Sequence, residues 1–298
     1  MGKKYHDLKL RIRSGLIGIP LLIGLIYWNE WGYLALFLGI MVCTLVEFYT
    51  LMEHKIVTKT LPRWGICSAI VLYTGAFMYA KMIIPGTYIL AGAIPLVLSC
   101  YVMVLYSKHD RSPFRSIAYT LLGLIYVALP FCLIHHVALD AQTYHPEVIL
   151  GTLFIIWGND VGAYFVGLLL GRRKLFKRIS PKKTWEGSIG GMVIGLMVSY
   201  LIAQYYVHWN TIHWMLVGVI TALASIYGDL VESLFKRSLG IKDSGKIIPG
   251  HGGFLDRFDS FLFVIPLVFA LNVVDKETAF TQSIAEKLKE MPAVADDE

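Results

Sequence analysis

Charge is what this sequence has least of: Asp, Glu, Lys and Arg make up 16% of its 298 residues, against about 25% in an average soluble domain. So low a fraction excludes a disordered chain, which needs charge to stay solvated. Cysteine is scarce as well. The four present, Cys43, Cys67, Cys100 and Cys132, form no C-x-x-C pair and each lies inside an apolar block, which argues against a disulfide framework or a zinc site. The 27 glycines follow no three-residue period and prolines number only 11, so a collagen-like fibre is excluded.

What is present is apolar: 56% of residues, with a mean hydropathy of +0.61. These residues fall in long blocks with the charges gathered between them, the pattern of an integral membrane protein. The net charge of +6 would raise nucleic acid as a partner in a soluble protein, but the block pattern points to a bilayer instead.

A helix needs about 20 apolar residues to cross some 30 Å of hydrocarbon. Nine segments qualify as candidates: 14–28, 31–51, 66–84, 88–106, 116–138, 148–170, 188–207, 215–235 and 258–274. The fold class expected is all-α and polytopic, with about nine transmembrane helices. The first segment is short, and only Trp28-Asn29-Glu30 separates it from the second. It follows a basic start but no small-x-small cleavage site, so it reads as a retained helix rather than a signal peptide.

Short basic loops stay on the cytoplasmic side. With the N-terminus inside, the inner segments hold 23 of the 27 Lys and Arg residues, and the outer loops hold none. The organisation expected is one membrane domain over 1–274, with N-terminal helices over 14–138, a catalytic half over 148–274, and a polar tail over 275–298. The two longest inner connections, 171–187 and 236–257, both lie in the second half.

Carboxylates inside a span are costly and mark cavities, partners or ion paths. Asp160 lies 11 residues before Gly171, roughly 16 Å below the inner end of its helix. Asp229 lies seven residues before Lys236, about 10 Å deep. Each has a plainer explanation, a packing contact with a neighbouring helix. Glu232 and Lys236, and Ser233 and Arg237, are i, i+4 pairs near the same helix end, and such pairs share a helix face. Lys242, Asp243, Lys246 and the run Pro249-Gly250-His251-Gly252-Gly253 then lead into Asp256-Arg257-Phe258-Asp259. Glycines let backbone N–H groups approach an anion, Lys and Arg supply charge, and hard carboxylate oxygens suit Mg²⁺ bridged to phosphate. The combination reads as a metal–polyphosphate site.

Gly240 to Lys246 imitates a P-loop, but Ile247 stands where Ser or Thr must bind the metal and an apolar helix precedes it. A transporter would predict an internal repeat, and the halves show none. The histidine pair His135-His136 has no ligand partner nearby in sequence and reads as structural.

The order S-x-x-K-R, K-D, H-G-G, D-R-x-D over residues 233–259 resembles the signature of the phosphatidate cytidylyltransferases, or CDP-diacylglycerol synthases. Asn159-Asp160-Val161-Gly162-Ala163-Tyr164 and Ser180-Pro181-Lys182-Lys183-Thr184-Trp185-Glu186-Gly187 are similar to further segments of that family. The resemblance covers about 157–260. It implies transfer of a cytidylyl group from CTP to phosphatidic acid, with release of pyrophosphate and a requirement for Mg²⁺, at a centre that holds a second metal ion as well. It also implies a polytopic homodimer in a bacterial inner membrane, with its active cavity facing the cytoplasm.

On matching positions, the resemblance gives Asp229 and Asp256 as metal ligands with Asp259 close behind. It gives Ser233, Lys236, Arg237 and Arg257 to the nucleotide and phosphate site. Lys182 and Lys183 would guide the anionic substrates, and Gly252 and Gly253 would belong to the phosphate loop. His251 has two open roles, a hydrogen bond to phosphate or a turn-stabilising one. Asn159, Asp160, Glu232 and Asp243 are further candidates. Nucleic acid is not an expected partner.

Overall fold

A computed structural model describes residues 2–56, 59–107, 110, 112–140, 142–206, 208–245, 247–248 and 252–290. The chain is a bundle of ten α-helices in the order α1 (Gly2–Trp28), α2 (Glu30–Ile56), α3 (Pro62–Ala80), α4 (Gly86–Leu105), α5 (Pro113–Gly123) and α6 (Leu129–Ala138), followed by α7 (Pro146–Leu170), α8 (Trp185–Tyr205), α9 (Thr211–Ser238) and α10 (Leu255–Glu290). Among the described residues, strands are confined to two small antiparallel ribbons. One pairs β1 (Leu139–Asp140) with β2 (Thr143–Tyr144), and the other pairs β3 (Lys174–Phe176) with β4 (Ser180–Thr184).

Among the described residues, seven helical segments are long and apolar enough to cross a membrane: Glu30–His54, Gly86–Leu105, Pro113–Ala138, Pro146–Leu170, Trp185–Tyr205, Thr211–Ser238 and Leu255–Thr278. The other two expected spans are also helical but fall short of that standard. The apolar part of α1 is Gly15–Trp28, and α3 spends its first turn on Pro62 and Arg63. α10 runs on to Glu290, into the segment read as a polar tail; residues 291–298 lie outside the described residues.

Local chemistry sets the helix ends. Asn29 separates α1 from α2 and accepts the Gly32 N–H at 2.7 Å. Thr184 caps α8 by accepting the Gly187 N–H at 3.2 Å, and Asn210 caps α9 by accepting that of His213 at 2.8 Å. Proline opens α3, α5 and α7, where its missing N–H costs nothing. Between α5 and α6 the chain widens into a π-helical turn over Leu124–Ala128. Pro130, just beyond, cannot donate to the carbonyl four residues back, and the looser turn accommodates its ring.

Two kinds of packing hold the bundle. α2, α3 and α6 share a core of Tyr33, Phe37, Phe48, Tyr49, Tyr73 and Phe131. Phe37 stacks on Phe261 and Phe48 on Phe235, which ties this core to α10 and α9. α7 and α8 instead meet through small residues: a Cβ on Gly191 would stand 2.7 Å from the Asn159 carbonyl oxygen and 3.0 Å from the Ala163 Cβ. Close backbone approach of this kind drives helix association in lipid, where hydrocarbon gives apolar side chains no reason to leave it. Leu168, Leu169 and Leu170, at the end of α7, are exposed.

Candidate active site

A cavity of about 1730 Å³ is walled by α1, α2, α7, α9, the β3–β4 ribbon and the starts of α8 and α10. One wall is apolar and built from Ile19, Leu22, Leu36, Ile40, Leu153 and Ile156. The other carries Asp160, Lys182, Lys183, Asp229, Arg257 and Asp259. A space with one greasy and one charged wall suits an amphipathic ligand.

The charged wall is assembled from segments far apart in the chain. The β3–β4 ribbon folds the 171–187 connection back over the cavity, with Lys174 opposite Thr184 and Phe176 opposite Ser180. Glu186 fastens its base by accepting the Arg172 and Arg173 N–H groups, both at 3.1 Å. The ribbon sets Lys183 in an ion pair with Asp229. The other oxygen of Asp229 accepts the Ser260 hydroxyl at 3.1 Å. Asp259 adjoins Asp229, and Asp160 is close enough to feel the charges of Asp229, Lys183 and Arg257. Two side-chain oxygens buried beside this wall, Asn159 Oδ1 and Ser225 Oγ, have no hydrogen-bond partner among the described residues. Asp160, Asp229 and Asp259 thus line one part of the cavity, where Lys183–Asp229 is the one ion pair they make among the described residues.

A second cluster gathers around Asp256, which also lines the cavity. Lys236 Nζ pairs with Glu232 at 2.5 Å and with Asp256 at 2.8 Å. The far oxygen of Asp256 accepts the Ser244 N–H at 2.9 Å and the Gly253 N–H at 3.1 Å, closing the 244–253 loop. Gly252 makes that turn with φ +89°, a left-handed conformation that favours glycine, and a Cβ there would stand 2.8 Å from Asp256 Oδ2.

Of the residues singled out in the sequence, Asn159, Asp160, Lys182, Lys183, Asp229, Asp256, Arg257 and Asp259 line the cavity together. Glu232 and Lys236 belong to the cluster around Asp256, and Gly252 and Gly253 to the loop that Asp256 closes. Ser233 and Arg237 do not line the cavity; Arg237 donates to the Ile241 carbonyl at 3.1 Å. Asp243 is exposed, and His251 lies outside the described residues. Sequence reasoning missed Ser225, Ser260 and Glu47. Serines on apolar helices carry no motif, though Glu47 had a usable signal as an acid inside an apolar span.

Among the described residues, no three His, Cys, Asp or Glu side chains converge into a metal cage. Mg²⁺ asks for less, since one or two carboxylates with waters and substrate phosphate oxygens suffice. Asp229, which pairs with Lys183, and the adjoining Asp259 fit that need.

Fold and site together define a polytopic membrane protein with a cavity among its helices lined by charged and apolar residues. The chain belongs to the cytidylyltransferase family, whose family model matches residues 9–274. It is 40% identical over 183 residues to a phosphatidate cytidylyltransferase of Staphylococcus saprophyticus, and 42% identical over 183 residues to one of Staphylococcus aureus. Each match covers 60% of this chain and 68% of the relative.

Proposed function

We infer that this cavity joins CTP to phosphatidic acid, giving CDP-diacylglycerol and pyrophosphate, the activity for which the staphylococcal relatives are named. The protein is a nucleotidyltransferase. One observation carries the assignment to this site: Lys182, Lys183, Arg257 and four aspartates line a single cavity together with apolar residues of α1, α2 and α7, so nucleotide phosphates, a bound cation and a lipid find complementary groups in one place.

A phosphate oxygen of phosphatidic acid attacks the α-phosphorus of CTP, a new P–O bond forms, and the bond to the bridging oxygen breaks with loss of pyrophosphate. The attacking monoester is already anionic at neutral pH, its second pKa being about 6, so no strong general base is required. What the protein must supply is in-line positioning and charge neutralisation. Lys182, Lys183 and Arg257 offset the negative charge of the phosphates. Asp229 and Asp259 would hold Mg²⁺, which would supply Lewis-acid neutralisation of phosphate charge. Asp256 keeps the loop closed through Lys236, Ser244 and Gly253. The apolar wall on α1, α2 and α7 receives the acyl chains.

The topology proposed is nine crossings with the N-terminus and the charged wall on the cytoplasmic side, on the strength of the Lys and Arg asymmetry. The membrane proposed is a bacterial plasma membrane, because the relatives are bacterial. A homodimer is proposed from the family resemblance alone.

The test incubates purified protein with phosphatidic acid, labelled CTP and Mg²⁺, and measures both CDP-lipid and pyrophosphate. Both products are expected in equal amounts, and chelation of divalent metal is expected to stop the reaction. No CDP-lipid with any divalent metal would overturn the reading.

A further inference from the structure

Glu47 sits on α2, in the half of the chain where no motif suggested chemistry, and its residue is only 5% exposed. Its Oε2 accepts the Leu255 N–H at 3.0 Å and the Ser244 hydroxyl at 3.4 Å. Its Oε1 has no hydrogen-bond partner among the described residues. Leu255 opens α10, and the first N–H groups of a helix have no partner within it. An acceptor at that end is normally a cap from the adjoining residue, and a negative charge there also complements the helix dipole. Here the acceptor comes from 208 residues away.

The loop before α10 is therefore held between two carboxylates. Ser244 gives its N–H to Asp256 and its hydroxyl to Glu47; Gly253 gives its N–H to Asp256, and Leu255 gives its own to Glu47. A Cβ on Gly245 or Gly253 would collide with the Glu47 carboxylate. Both glycines are required by this acid as much as by any anion the loop meets. Arg257 and Asp259, two and four residues after Leu255, face the cavity from the first turn of α10.

We propose that Glu47 is a positioning residue for the reaction: it fixes the start of α10, and through it the placement of Arg257 and Asp259 beside Asp229. Glu47 does not line the cavity, so it acts on turnover through those residues. The proposal rests on the reading of this cavity as the cytidylyl-transfer site.

The test compares Glu47→Gln and Glu47→Ala with the unaltered protein, each purified from membranes as a monodisperse species. Displacement of reacting groups by about an ångström costs up to about 100-fold in rate. The kcat per folded molecule is expected to fall about 10- to 100-fold in Glu47→Ala, with KM for CTP changed less than about threefold. Glu47→Gln, which keeps an acceptor oxygen, is expected to recover part of that loss. Amide exchange over 252–259 is expected to quicken in Glu47→Ala while exchange over 115–135 stays unchanged. Gly245→Ala is expected to reduce turnover alone and to add nothing in the Glu47→Ala background, the non-additivity of groups in contact.

Wild-type kcat in Glu47→Ala, or exchange that quickens equally in both segments, would overturn the proposal. Should the unaltered protein make no CDP-lipid, the reaction assignment fails, while the exchange comparison still decides whether Glu47 holds α10.

Discussion

The two ends of the bundle use the same side chains to opposite purpose. At the end where α6 meets α7, Asp140 pairs with Lys276, Asp275 with His213, and Glu147 with His145. Each acid there has its own partner, and the nearest pocket is about 170 Å³. At the other end Asp160, Asp229, Asp256 and Asp259 line a cavity of about 1730 Å³, in which Lys183 pairs with Asp229. One-to-one pairing closes a structure, whereas Lys182, Arg257, Asp160 and Asp259 line an open cavity with no ion pair among the described residues and are left for something from outside. The difference locates the chemistry better than a count of charges does.

Not every charge at the crowded end is there for substrate, and the largest stability effect expected separates the two kinds. Lys236 is the single cation between Glu232 and Asp256, whose side chains are 1% and 5% exposed. Lys236→Met would leave two buried acids without a counter-ion, and breaking a buried pair costs about 3–5 kcal/mol. A much lower melting temperature in detergent is the expected result. An unchanged one would return Lys236 to the substrate side of the comparison.

A smaller effect is expected where α7 and α8 touch. Gly191→Val would press on the Asn159 carbonyl and cost about 1–3 kcal/mol in overpacking. Because Asn159 precedes Asp160 on the cavity wall, turnover is expected to fall beyond what the lost stability explains. Melting and kcat measured on the same preparation give both numbers.

The smallest effect belongs to the other end. Lys276 donates to Asp140 at 2.9 Å, and that hydrogen bond holds the Asp140 carboxyl below its ordinary range. A depressed carboxyl contributes stability above its unfolded value, about 3.9, and loses it as pH falls through the folded value. Both side chains are about half exposed, so Lys276→Ala is expected to cost under about 1 kcal/mol at pH 7. The difference from the unaltered protein is expected to vanish on acidification. A gap in melting temperature that widens in acid would contradict this sign.

Most of the helices were legible because long apolar runs admit little else. Trp28-Asn29-Glu30 marked the α1–α2 break correctly, since Asn29 both stops one helix and caps the next. The π turn at Leu124–Ala128 was not legible, because it arises from how one continuous span absorbs Pro130. Ser180 to Gly187 read as a loop, yet its first five residues pair as a strand with β3; a ribbon that short lacks the alternation that betrays a strand. The motif residues Asp160, Lys183, Asp229, Arg257 and Asp259 were found, but their meeting was not. The Lys183–Asp229 pair joins positions 46 residues apart and the Glu47–Leu255 bond joins positions 208 apart. Spacing speaks only within an element, and these contacts exist only once the helices have packed.

The central claim is that the crowded end performs the reaction while the paired end only holds the fold. Turnover of CTP and phosphatidic acid by Asp229→Asn and Asp140→Asn, measured side by side on equal amounts of folded protein, tests it most directly. The account predicts a loss of about 100-fold or more for Asp229→Asn, as for removal of a group that stabilises charge in the transition state, and a wild-type rate for Asp140→Asn. Equal rates in the two variants, or a greater loss from Asp140→Asn, would contradict it.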